Sequence, residues 1–116
     1  MGMMYTLNRW DDVEGYDAVF LLEFAKDYMV TEIWKNTDSV VQIADMSEFE
    51  VEGNSAASTI YRRASGDEGN RTEYYYTAIT NGDSAVIVIG LIIERLVDDE
   101  PETYRKVVNS VRIFPK

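Results

Sequence analysis

Chemistry in this chain would have to come from tyrosines, carboxylates and a few arginines, because it holds neither cysteine nor histidine. That removes the thiol nucleophile, thiolate metal sites, the commonest general base and the commonest zinc ligand. The options left for catalysis are a carboxylate acid/base pair, a tyrosine acid or a lysine nucleophile. Carboxylates are plentiful, yet no pair is marked by spacing. The nucleophile-elbow, phosphate-loop and dinucleotide patterns are all absent. The expectation is therefore a non-enzyme with no catalytic residues, no cofactor and no metal.

Four groups invite a functional reading. Tyr74-Tyr75-Tyr76 could form a stacking or contact surface, although aromatic residues beside β-branched ones also stabilise sheets by packing. Alternation sends Tyr75 to the face opposite its neighbours, which makes it a candidate interface or ligand contact. Trp10 and Trp34 are the other candidates, since tryptophan is enriched at interface hot spots. Asp98-Asp99-Glu100 with Glu102 lack the convergence a hard cation requires and read as acids at a helix start. Asp67-Glu68, between two glycines, reads as a solvated turn. Arg62 and Arg63 should point to opposite faces, so they make a poor anion grip.

The elements that would position these residues follow from periodicity. Tyr5, Leu7 and Trp10 suggest a short strand or arm. Residues 16–35 read as a helix, with Leu21, Phe24, Ala25 and Tyr28 on one face, widened by Phe20, Leu22 and Met29. Glu23, Lys26 and Asp27 fit the opposite face. Ser39–Ile43 and Phe49–Val51 are β-prone, Glu52-Gly53-Asn54 is a turn, and a strand follows through Ala57–Tyr61. Residues 65–70 form a loop. Two β-prone runs flank Asn81-Gly82, the strongest short hairpin signal, because both turn residues reach positive φ cheaply. A two-residue turn there would pair Thr80 with Asp83, Ala78 with Ala85, Tyr76 with Ile87 and Tyr74 with Ile89. One face would carry Tyr74, Tyr76, Ile87, Ile89 and Leu91, and the other Tyr75, Ile79, Val86, Val88 and Ile92. A sheet apolar on both sides wants a layer on each. Pro101 opens a second helix over 101–111, with Tyr104, Val107, Val108 and Val111 at i, i+3, i+4, i+7. The fold class is α+β: an antiparallel sheet of five to six strands flanked by two helices, in a single domain spanning 1–116.

The net charge of −10, from 21 acidic and 11 basic residues, argues against nucleic acid and anionic membranes. A basic protein partner is compatible. The apolar run Ala85–Ile93 is too short to span a bilayer, so no membrane insertion is expected. The N-terminus does not read as a signal peptide, and Met1-Gly2 could be a cloning remnant. The compartment stays open: a soluble protein, either cytoplasmic or an extracytoplasmic domain with its signal removed.

The order of helix, antiparallel strands, long hairpin, helix and a final strand from about Asn109 to Phe114 resembles the PsbP-like family, which includes the Mog-type proteins. The matching residues are Leu22-Glu23-Phe24-Ala25 ahead of the sheet, Gly53-Asn54-Ser55-Ala56, the tyrosine-rich strand beside an apolar one, and Val107–Ile113. The likeness covers roughly residues 20–114. It implies an α/β/α sandwich that binds partners or assists assembly and shares no catalytic residues. The chain departs at the front, where the family's extra hairpin is replaced by at most one strand. A missing hairpin exposes an edge, which invites a homodimer. The leading expectation is a non-enzymatic binding or assembly module acting through protein–protein contact or self-association. The alternatives are a cone-shaped small-ligand-binding domain or enzyme, of nuclear-transport-factor type, and an acidic inhibitor of a basic protein.

Overall fold

Alternation around Asn81 builds the centre of a six-stranded antiparallel sheet. The computed structural model describes residues 4–33, 35, 39–65, 70–92 and 100–114. In chain order the elements are β1 (Met4–Asp11), α1 (Ala18–Tyr28) with a π-helical turn (Met29–Ile33), β2 (Ser39–Gln42), β3 (Ser47–Val51), β4 (Asn54–Ser65), β5 (Asn70–Thr80), β6 (Ser84–Ile92) and α2 (Glu100–Asn109). The strand order is β1-β6-β5-β4-β2, with β3 also on β4. The long β4 pairs with β2 through Tyr61–Ala64 and with β3 through Asn54–Ser58, so two short strands share one of its edges.

The two helices cover opposite faces. Ala18, Leu21, Leu22 and Ala25 of α1 pack with Ala57, Tyr61, Tyr74, Tyr76, Ala78, Ala85 and Ile87. Tyr104 and Val108 of α2 pack with Ala56, Tyr75, Ile79, Val86 and Val88. The assignment of β5 and β6 residues to faces is the one that alternation predicts. Leu22, Ile79, Ile87 and Val88 are fully or almost fully buried, each worth about 1.5–3 kcal/mol of apolar transfer. The second helix predicted from Pro101 is present and packs on the sheet.

The register differs from expectation by two residues. Thr80 pairs with Ala85, Ala78 with Ile87, Tyr76 with Ile89 and Tyr74 with Leu91. Of Asn81 and Gly82, only Gly82 has positive φ, 102°. The Asn81 side chain instead accepts the N–H groups of Asp83 (2.9 Å) and Ser84 (2.8 Å), while Thr80 Oγ1 accepts from Gly82 N (3.0 Å). This wider loop satisfies more backbone donors than a tight turn could, and Asn81 works as a side-chain acceptor. A slip of two leaves every side chain on its face, whereas a slip of one would invert them all. The two-residue turn with both φ positive lies elsewhere, at Glu52 (51°) and Gly53 (81°) between β3 and β4.

Two other expectations need correction. The first helix is shorter than 16–35: Asp17 caps it through Oδ1 on Phe20 N (2.8 Å), and a π-helical turn takes over at Met29. Thr31 Oγ1 donates to Asp27 O (2.8 Å) at that junction, the back-bonding that bends helices. The final strand is absent. Residues 111–114 lie outside any ladder, and Val111 instead joins the cluster beneath α2 while Arg112 pairs with Glu52 (2.9 Å). The expectations for Trp34, Asp67-Glu68 and Asp98-Asp99 lie outside the described residues.

Candidate functional site

The capped start of α1 sets four aromatic residues in a row. Tyr16, Phe20, Phe24 and Tyr28 recur every four residues, which on a 3.6-residue helix makes one slowly turning ridge. All four are half exposed, at 51%, 47%, 54% and 52%. Tyr16 stacks on Phe20 (ring centroids 4.7 Å), Phe20 lies 6.3 Å from Phe24, and Trp10 of β1 meets Phe24 edge-on at 5.8 Å. Phe24 and Tyr28, expected in the core, instead flank it, because the buried stripe is centred on Leu22 and Ala25. The signal that would have found the ridge is the strict spacing of four.

A groove runs beside this ridge. Helix α1 sits over β4 and β5, and one helix about 10 Å wide covers roughly two strands. Among the described residues no second helix covers β6 and β1 on that side. The result is a groove of about 480 Å³ lined by Trp10, Phe24, Tyr28, Met29, Ile87 and Ile89, among others. Trp10 is half buried in its wall, so one sequence candidate belongs to this surface. The edge strand β1 also exposes Met4 and Leu7.

The neighbouring sequence is acidic, while the charged side chain in the groove lining is Arg9. From Trp10 to Ile33 the chain carries Asp11, Asp12, Glu14, Asp17, Glu23, Asp27 and Glu32 against one base, Lys26. Lys26 pairs with Asp27 (2.7 Å) and sits over the Tyr61 ring (5.6 Å). On the edge strand, Arg9 bonds Asp11 (2.9 Å). Burial raises the Tyr61 pKa, and Glu23 and Asp27 push it the same way.

The opposite face holds a second feature. Tyr75 is buried, its ring 5.1 Å from Tyr104 of α2, so this candidate serves packing and pocket lining. Tyr74 and Tyr76 are buried under α1. A pocket of about 380 Å³ opens between α2, β3, β4 and β5, walled by Phe49, Ile60, Tyr75 and Val108. Across it run Ser58 Oγ–Thr77 Oγ1 (2.9 Å), Thr77 Oγ1–Tyr104 Oη (2.6 Å) and Tyr104 Oη to Val88 O (3.1 Å). The Tyr104 pKa is raised by burial, against a smaller lowering by the Thr77 bond, so Tyr104 stays a neutral donor. Arg62 and Arg63 part as expected: Arg62 reaches Glu73 (3.3 Å) and Arg63 the Tyr74 hydroxyl (3.2 Å). Among the described residues no three acidic side chains converge as a metal site would need, and no helix is long and apolar enough to cross a membrane.

No protein-family model matches this chain, and no curated protein does. A solved structure does resemble it: protein PA94 of Pseudomonas aeruginosa, described as being of unknown function and a suggested regulator. It superposes with a TM-score of 0.59 at 12% identity, over 97% of this chain and 86% of the other. At that identity the likeness concerns the fold alone.

Proposed function

We propose that the protein is a non-enzymatic binding module, of the PsbP-like kind that its element order suggests, which holds a basic amphipathic helix of a partner protein along the β1–α1 groove. The observation that carries this is the half-exposed aromatic ridge beside an apolar groove, on a chain of net charge −10. A helix laid beside α1 would complete the layer over β6 and β1. Its apolar face would meet Trp10, Phe24 and Tyr28, and its lysines or arginines would meet the open ring faces of a strongly acidic chain. A homodimer through the exposed β1 edge is the other reading that the sequence offers. Two copies of so acidic a chain repel, which favours a basic partner over a second copy.

The test is a titration with an amphipathic Leu/Lys peptide of about 18 residues, five helical turns, against its Leu/Glu counterpart. Trp10 fluorescence is read in a Trp34→Phe background. The lysine peptide should bind, weaken as salt rises, and lose most of its affinity to a Phe20→Ser/Phe24→Ser double variant. Equal binding of both peptides, or of neither, would sink the proposal.

A further inference from the structure

We propose that the pocket beneath α2 is a binding site for a small, neutral, largely apolar molecule that donates one hydrogen bond, with Ser58 as the acceptor that recognises it. The argument rests on where the hydroxyl protons must point. A carbonyl can only accept, so Tyr104 gives its single hydroxyl proton to Val88 O (3.1 Å). The 2.6 Å contact between Thr77 Oγ1 and Tyr104 Oη then needs the Thr77 proton. The 2.9 Å contact between Ser58 Oγ and Thr77 Oγ1 needs the Ser58 proton. All three protons run one way, into the sheet. Ser58, half buried and part of the pocket lining, keeps only lone pairs for anything that enters.

The rest of the pocket narrows the ligand class. Phe49, Ile60, Tyr75 and Val108 supply apolar walls beside Ser58, and Asp45, Ser47, Arg105 and Asn109 add polar groups to the lining, the mixture a small-molecule site uses. Asp45 and Arg105 both border the pocket with opposite charges, so it favours neither a cation nor an anion. A ligand that presents only an acceptor to Ser58 would meet it lone pair to lone pair and gain no bond there.

Indole and benzofuran are matched in size and differ in that only indole carries an N–H donor. Amide NMR titrations of the intact protein with each should show indole binding at least about tenfold tighter. The shifts should centre on Ser58, Tyr75, Thr77 and Val108. Ser58→Ala, checked for native circular dichroism, should reduce the preference to about twofold or less. Thr77→Val frees the Ser58 proton, and benzofuran should gain affinity there. Equal or tighter benzofuran binding overturns the proposal. So does an unchanged preference in Ser58→Ala, a shift pattern centred elsewhere, or no saturable binding by either compound.

Discussion

Two buried tyrosines with opposite hydrogen-bond situations allow a sharp contrast at the residue scale. The Tyr104 hydroxyl bonds Val88 O and Thr77. The Tyr76 hydroxyl is buried with no hydrogen-bond partner among the described residues. Tyr104→Phe should cost about 1–3 kcal/mol, since it strands polar groups that had partners. Tyr76→Phe removes a buried hydroxyl that gains nothing and should be neutral or stabilising by up to about 1 kcal/mol. Urea unfolding of the two variants checks both signs. The alkaline side follows from the same groups. Burial raises both pKa values above the ordinary tyrosine value, so the native state holds these protons when the unfolded chain has released them. Their stabilising contribution is complete below about pH 10 and is lost as pH climbs from there towards the folded values. Stability should therefore fall steeply in strong alkali, with part of the tyrosinate absorbance appearing only on unfolding. None of this was legible in the sequence. Ser58, Thr77, Val88 and Tyr104 come from four different elements and meet only once the sheet and α2 are assembled.

The element scale shows what local pattern can and cannot specify. Face assignment along β5 and β6 was readable, because it depends only on alternation. Register was not, because Asn81 chose a side-chain acceptor role over positive φ. The α1 sequence gave its aromatic spacing openly, yet burial sorted Phe24 and Tyr28 outward. The preference for Leu21 and Leu22 on the buried side becomes visible only when the position of the sheet is known. The tight turn at Glu52-Gly53 allows a prediction. Glu52 holds φ of 51°, a region costly for most side chains and cheaper for asparagine. Glu52→Asn creates the favoured Asn-Gly pair. It should stabilise by about 0.5–1 kcal/mol, less the weak, exposed pair with Arg112. A thermal melt that falls instead would show the ion pair to outweigh the backbone.

At the scale of the whole molecule, charge decides company. A chain of net charge −10 repels its own kind at low ionic strength. Light scattering across a dilution series should give the 13.3 kDa monomer in dilute buffer, with self-association only as salt screens the repulsion. A dimer that survives dilution at low salt would assign the open β1 edge to a second copy.

The position of β1 also has a consequence for biosynthesis. Its ladder partner is β6 alone, and Asp11 pairs with Ser84. β1 therefore leaves the ribosome 73 residues ahead of its partner strand, counted from Asp11 to Ser84. At about 5–20 residues per second the delay is roughly 4–15 s, during which Leu7 and Trp10 have no sheet to rest on. The ribosome-bound nascent chain is thus an obvious client for a holding chaperone until β6 emerges to seat them.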